Sequence, residues 1–330
     1  MSSLSTPYVE DRRGGLPRTL VWLALAAAIG VVLFTVLGRF NSEYAYLAAY
    51  GVLQYVVLAT GWNILGGYAG YVNFGAAGFY ALGVYGSVFL YKLFPDLPVP
   101  VMVLVAAGVG ALFGLGMGYL TLRLRGVFFS IGTLALSVIL HTVIVNWEFV
   151  GGARGAYIIR PEEAPVLGSY AAYLCLLMFV LAVIAVAIAR TVQHSWLGRG
   201  LAAIRDDETA AECSGVASLK LKLAATSLSG AVLAMAGAPF PFFITYVDPA
   251  TAFSLTVAVN TIAMPVIGGM ATWIGPVVGA VLIGSLQQLA TVTISSSANL
   301  LIVGLLLVVF TSIAPFGIMG LLSRRRRNVR

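Results

Sequence analysis

Apolar residues run along this chain in continuous stretches of about 20, each long enough as an α-helix to cross a hydrocarbon core of about 30 Å. Ten such spans fit the pattern, near residues 20–38, 44–65, 73–91, 99–120, 127–147, 169–189, 223–244, 255–271, 274–291 and 299–314. The join at 271–274 is so short that a broken helix and a re-entrant pair both remain open. A membrane β-barrel would instead alternate apolar and polar positions over segments of about 10 residues. The expected fold is therefore an all-α polytopic membrane protein with about ten transmembrane helices.

One long polar stretch interrupts the pattern, RTVQHSWLGRGLAAIRDDETAAECSGVASLKLK from Arg190 to Lys222. Arg199, Arg205, Asp206, Asp207, Glu208 and Glu212 crowd into a short helix-like segment there. Burying such charges in lipid costs about 2.5–3.5 kcal/mol each, so the segment belongs in water on one side of the membrane. Leu201, Ile204 and Ala211 fall near one face, interrupted by Glu208, while Arg199, Arg205 and Asp206 point elsewhere. Gly215 is placed to end the helix and Ser218 to start the next. The segment reads as a docking surface for a soluble partner or as an amphipathic helix lying on lipid.

Glycine is patterned. Gly110, Gly114 and Gly118 recur every four residues, and Gly66, Gly67, Gly70, Gly75 and Gly78 crowd the junction of the second and third spans. Small residues let helix backbones approach where lipid offers no hydrophobic drive for association. A second reading makes residues 66–78 a broken helix lining a path. Ile64-Leu65-Gly66-Gly67-Tyr68-Ala69 is echoed by Val266-Ile267-Gly268-Gly269-Met270-Ala271, either as paired halves around a pathway or as unrelated glycine turns. Residues 148–169 form a turn-rich polar loop on the other side, through Gly151, Gly152, Gly155, Pro161 and Pro165 with Arg154, Arg160, Glu162 and Glu163. It is either a partner surface or a solvated connector.

Composition agrees with the pattern. The chain is 60% apolar and 9% charged, against about 25% charged in soluble domains. A net charge of +7 would point a soluble protein toward nucleic acid; here topology accounts for it. With the N-terminus inside, Arg12, Arg13, Arg18, Arg123, Arg125, Arg190, Arg199, Arg205, Lys220, Lys222, Arg324, Arg325, Arg326, Arg327 and Arg330 lie on the cytoplasmic side, fifteen of the 19 basic residues. Arg39, Lys92, Arg154 and Arg160 lie outside, the asymmetry expected of that orientation. Both termini are then cytoplasmic, with a tail at 1–18, a membrane domain at 19–314 holding the loop at 190–222, and a basic tail at 315–330 against the anionic leaflet. The first apolar run is too long and too far in for a signal peptide and reads as a retained span.

No chemistry of catalysis is written in the chain. Cys175 and Cys213 lie far apart, in a span and in the polar loop, and imply no disulfide framework. No phosphate-binding G-x-x-x-x-G-K-[ST], zinc-protease or nucleophile-elbow signature is present, and no metal-ligand spacing occurs. No Asp or Glu lies at the centre of a span, which argues against a lone proton- or sodium-coupled carrier. His141 reads as packing rather than a proton relay, and Asn63, Asn73, Gln54 and Asn260 are neutral candidates for a pathway or for helix contacts. Many spans, no internal energy source and a compact cytoplasmic helix together imply a permease driven by a separate motor.

The stretch Gly198-Arg199-Gly200-Leu201-Ala202-Ala203-Ile204-Arg205-Asp206-Asp207-Glu208-Thr209-Ala210-Ala211-Glu212, followed by Gly215-Val216, resembles the G-R-A-L-x-A-I-R-E-x-E-x-A-A-x-x-x-G-[IV] loop of one family. That family is the M-type permease subunits of ABC importers for branched-chain amino acids. Gly61-Trp62-Asn63-Ile64-Leu65-Gly66-Gly67-Tyr68-Ala69-Gly70, Arg123-Leu124-Arg125-Gly126 with Thr133-Leu134, Gly268-Gly269 with Gly275-Pro276-Val277-Val278-Gly279-Ala280, and Ala314-Pro315-Phe316-Gly317 with Gly320-Leu321 extend the resemblance over nearly the whole chain after about residue 45, in the family's order.

The resemblance implies a bacterial inner-membrane protein working with a homologous second permease subunit, two ATP-binding subunits and an extracytoplasmic substrate-binding protein. ATP and Mg would be bound by those ATPase subunits and no cofactor by this chain. Gly198, Arg199, Ala203, Ile204, Arg205, Asp206, Asp207, Glu208, Ala211 and Gly215 would form the ATPase-coupling element. Asn63, Gly66, Gly67, Gly70, Asn73, Gly75, Gly268 and Gly269 are the pathway candidates. The family's usual D-L-G at the third span is Asn73-Phe74-Gly75 here. That departure keeps importers of urea, amides or aromatic acids, which share the architecture, open beside branched-chain amino acids.

Overall fold

A computed structural model describes residues 16–40, 42–121, 124, 126–160, 169–293, 304–305, 308 and 317–320. The expectations for residues 1–15, Arg123, Arg125, Pro161, Glu162, Glu163, Pro165, most of the 299–314 span and the Arg324–Arg327 cluster lie outside the described residues. The chain divides into a unit of residues 1–45, which holds helix α1 (Leu16–Phe40), and a unit of residues 46–330.

The larger unit is helical almost throughout. Its elements are α2 (Glu43–Ala69, beginning in the first unit), α3 (Ala76–Leu93), α4 (Val99–Thr121), α5 (Val127–Val145), α6 (Tyr170–His194), α7 (Trp196–Asp206), α8 (Glu208–Cys213), α9 (Ser218–Gly237), α10 (Phe240–Ile244), α11 (Pro249–Ala252), α12 (Leu255–Gly268) and α13 (Ile274–Thr293). Among the described residues six helical stretches are long and apolar enough to cross a membrane: 43–69, 99–121, 127–145, 170–194, 218–244 and 249–268. Residues 24–39 and 274–290 are shorter apolar helices. The fold is thus all-α and polytopic. Helix α3 falls below the hydropathy of a free-standing span because glycines, tyrosines, Ser87 and Lys92 dilute it. It is instead packed between other helices, with Phe79, Tyr80, Val84, Tyr85 and Val88 almost fully buried.

Glycines set the helix contacts. A Cβ on Gly110 would sit 2.5 Å from the Gly230 carbonyl oxygen, and one on Gly114 2.7 Å from that of Thr226, so these two glycines bring α4 and α9 together as their spacing implied. Helix α3 meets α9 as well: a Cβ on Gly83 would lie 1.9 Å from the Ala234 oxygen. Gln54 of α2 donates to the Tyr80 hydroxyl at 3.2 Å and to the Ala236 carbonyl at 3.3 Å, tying α2 to the same core. Gln54 is therefore a helix contact.

The 148–160 segment is built onto the rest of the chain. Strand β1 (Ala156–Tyr157) pairs antiparallel with β2 (Tyr246–Val247), Tyr157 opposite Tyr246. Arg160 donates from Nε to the Phe242 carbonyl at 2.6 Å and from Nη2 to that of Phe243. Lys92 Nζ donates to the Phe149 carbonyl at 2.9 Å. The two Arg160 bonds answer backbone carbonyls left open where α10 ends, and with the others they make this end of the bundle a stitched cap.

Candidate functional site

The polar interruption folds as two short helices. Ser195 begins α7 by accepting from the Gly198 amide at 3.3 Å, and Leu201 and Ile204 turn inward. The helix breaks at Asp207, whose extended backbone (φ −160) frees its carboxylate to accept from the Ala210 amide at 3.0 Å and start α8. Gly215, at φ +86, ends α8 as expected. Its amide bonds Glu212 O and the Val216 amide bonds Ala211 O, both at 3.0 Å, which together make a Schellman turn. Ser218 is the first residue of α9, but the cap position is Ala217 and the Ser218 hydroxyl makes no cap bond.

The ends of the stretch differ from the sequence reading. Residues 190–194 continue α6, and Lys222 lies inside α9, so the loop proper is 195–217. Lys222 is 3% exposed. Its ammonium lies 2.6 Å from Glu208 Oε1, donates to the Tyr71 hydroxyl at 3.1 Å and stands 4.7 Å above the Tyr71 ring. The Tyr71 hydroxyl in turn donates to Glu208 Oε2. Glu208, which interrupts the apolar face in sequence, thus points inward because a buried cation waits for it. Charges removed from water persist only when paired and hydrogen-bonded, and this cluster meets both conditions.

Arg205 also turns inward. Its Nη1 donates to the Gly67 carbonyl at 3.2 Å, and its stem passes so close to Gly70 (φ +75) that a Cβ there would lie 2.9 Å from Arg205 Cγ. Helix α2 ends at Ala69, so a guanidinium sits on its unpaired carbonyls, where the helix dipole favours a cation. Replacing Arg205 by Ala is expected to lower stability by about 1–2 kcal/mol. Thermal unfolding of the detergent-purified protein measures it.

The 70–75 turn is held from its other flank by α5. Ser130 Oγ donates to the Val72 carbonyl at 2.8 Å, and the Phe74 amide donates to Thr133 Oγ1 at 3.1 Å. Trp62 Nε1 donates to the Asn73 carbonyl at 2.8 Å, and Asn73 Oδ1 accepts from the Gly75 amide at 2.8 Å. Asn73 therefore serves the backbone at the start of α3, an acceptor role that a carboxylate would fill with added charge. Gly75 permits close contact with α5, since a Cβ there would lie 2.7 Å from the Thr133 carbonyl.

The two echoing stretches touch at one point. A Cβ on Gly67 would lie 2.7 Å from the Met270 carbonyl, directly after Gly268 and Gly269. Gly66 is filled by the Trp62 ring, and Gly268 by the backbone of Gly275. Asn63, fully buried beside Gly67, has no hydrogen-bond partner for either amide atom among the described residues. The other end of the loop reaches the second turn. Gln193 Oε1 accepts from the Trp273 amide at 2.7 Å, and the Arg190 guanidinium lies 5.8 Å from the Trp273 ring centre. The segment from α6 through α8 thus bridges both glycine turns.

Further along, Asn260 bonds Gln287 Nε2 at 3.2 Å and Tyr55 at 3.4 Å, a neutral chain across α2, α12 and α13. The structure brings Arg205 and Glu208 together with Gly67 and Gly70. It leaves Arg199, Asp206 and Asp207 exposed on the outer side. Tyr71, Tyr55 and Gln287 were not singled out in sequence, and Lys222 was placed in the water-exposed loop. Among the described residues no group of three His, Cys, Asp or Glu side chains is placed to hold a metal ion.

Comparison with known proteins agrees on one family. Residues 44–311 match the model described as branched-chain amino acid transport system, permease component. The high-affinity branched-chain amino acid transport system permease protein LivM of Escherichia coli is 28% identical over 257 residues, 69% of this chain and 59% of that protein. LivM of Salmonella typhimurium matches equally, again over 59% of its length. A probable branched-chain amino acid transport permease protein LivH of Methanocaldococcus jannaschii is 27% identical over 75% of this chain and 82% of its own. No solved structure matches the chain. With the matched region covering most of its length, the chain belongs to the branched-chain amino acid transport system permease family.

Proposed function

We propose that this chain is the permease subunit of an ABC importer for branched-chain amino acids or related small solutes, forming half of a transmembrane pathway. Separate ATPase subunits drive it, a homologous permease completes it, and an extracytoplasmic binding protein delivers the solute. It sits in a bacterial inner membrane with both termini in the cytoplasm. The observation that carries this reading is how the helix pair is seated. Arg205 on Gly67 and Lys222–Glu208–Tyr71 join α7 and α8 to the turn that ends α2. Force applied to the helices from the cytoplasm has a bonded route to both glycine turns.

The outward side of the pair suits a protein partner. Trp196 is 69% exposed and stands one turn from exposed Arg199, with Asp206 and Asp207 at the other end of α7. Exposed Trp and Arg are the residue types that dominate interface energetics. Trp196→Ala is expected to weaken ATPase association by about 2 kcal/mol, roughly thirtyfold, without loss of membrane insertion. Retention of the partners during detergent washing reads this directly.

Affinity purification of the chain from its native membrane in mild detergent, with mass spectrometry of bound proteins, tests the assignment. Two P-loop ATPases and a second permease are expected. The chain alone, under conditions that keep a control importer intact, would overturn it.

A further inference from the structure

A cavity of about 250 Å³ opens between α3, α5 and the break that separates α11 from α12. Phe74, Leu134, Val138 and Phe253 give it apolar walls, and its polar groups are Ser137 and His141. Among the described residues no Asp, Glu, Lys or Arg lines it. Ser137 is 8% exposed, yet its hydroxyl bonds no described residue. His141 stands edge-on to Phe253 at 5.3 Å. The imidazole nitrogens likewise bond no described residue, which leaves them available for a ligand.

Helix α12 begins at this cavity. Leu255 and Ala258 of its first turn line the space, and Ser254 caps it by accepting from the Val257 amide at 3.4 Å. Its 14 residues belong to the stretch 249–268 that is long enough to cross a membrane, so the break ahead of Leu255 sets this N-terminus about 9 Å inside that stretch rather than at its end. The first amides of a helix lack internal partners and carry the positive end of its dipole, a setting that favours an anion. In low dielectric that preference is strengthened.

We propose that this cavity is a solute station on the transport pathway and takes a small carboxylate bearing an apolar side chain. The inference rests on the permease reading above. The carboxylate lies against the α12 N-terminus, with Ser137 and His141 donating to it, and the apolar part rests on Phe74, Leu134, Val138 and Phe253. No described residue of the lining is acidic and able to hold an amine, so the ammonium of an amino acid faces the open side. At about 250 Å³ the space falls below the roughly 300–1,000 Å³ of drug-sized pockets, which limits the occupant to a molecule of amino-acid size.

The station also meets the coupling element. Phe74 in its wall and Tyr71 on the Lys222–Glu208 pair belong to one short turn. A shift of the helix pair that moves Tyr71 alters the wall of the cavity through Phe74.

The test uses Ser137→Cys with Cys213→Ser, in the complete complex as it purifies, reconstituted in nanodiscs; Cys175 is buried. Alkylation of the new thiol by N-ethylmaleimide is followed by mass spectrometry. Leucine and 4-methylpentanoate, each at about ten times its Kd, should slow modification about tenfold, while isoamylamine, which lacks the carboxylate, should not. Equal protection by isoamylamine overturns the proposal. So does protection by a long-chain fatty acid alone, which would make the cavity a lipid contact, or no protection by any probe. With ATPases retained in the same preparation, such a result removes the station and leaves the permease reading intact. A chain that purifies without partners removes that reading instead.

Discussion

Glu208→Ala is expected to destabilise the protein by about 3–5 kcal/mol, among the largest effects of any single side-chain change in the chain. It strands the Lys222 ammonium, 3% exposed, with the Tyr71 hydroxyl and ring as its remaining partners among the described residues. Lys222→Met should cost less, because Glu208 is 16% exposed and lines a cavity rather than a packed interior. Glu208→Gln should fall between wild type and Glu208→Ala, since an amide oxygen still accepts from the ammonium. Joining Glu208→Leu to Lys222→Met removes both charges and should recover most of the loss, as exchanging a whole buried pair for apolar groups often does. Thermal unfolding of these four variants together with Glu208→Leu alone closes a double-mutant cycle. A coupling energy near zero would mean that the pair holds nothing together.

The second large effect concerns glycine. Gly83→Ala, Gly110→Ala and Gly114→Ala each drive a methyl to within 1.9, 2.5 and 2.7 Å of a facing carbonyl oxygen or, at Gly110, also the Ala234 Cβ. Backbone cannot rotate away as a side chain does, so the helices must separate. A cost of about 1–3 kcal/mol each is expected. Gly108, Gly116 and Gly86 lie on the same two helices with nothing within 4 Å of an added Cβ. Alanine there should be neutral or stabilising by up to about 1 kcal/mol through helix propensity. The opposite signs along one helix distinguish close packing from general intolerance to substitution. Detergent melting curves for the six variants give the answer.

Much of this was legible in sequence, and the reasons are physical. Continuous apolar runs fix an all-α membrane protein, and helical spacing put Leu201 and Ile204 near one face of the segment, the face that α7 buries. Four-residue spacing marked Gly110 and Gly114 as contact points. Lys222 was misplaced because charge alone assigns a lysine to water, and its partner Glu208 lies 14 positions away with Tyr71 far earlier in the chain. Nothing local records a pair made through space. The break at Asp207 was hidden for a related reason, since an aspartate within a charged run reads equally as surface or as a cap. The β1–β2 pairing joins residues 156–157 to 246–247 and has no periodic signature at two residues per strand. Helix α3 was counted as a span by its apolar content, whereas its glycines and tyrosines suit it to contact with other helices.

By the function we propose, α7 and α8 touch the ATPases. Asp206, with its side chain 73% exposed at the end of α7, is the place to ask. A photo-reactive p-benzoylphenylalanine at position 206, irradiated in native membranes, should give an adduct whose second component is a P-loop ATPase. An intact complex that yields only lipid adducts, or none, would contradict the assignment of this surface.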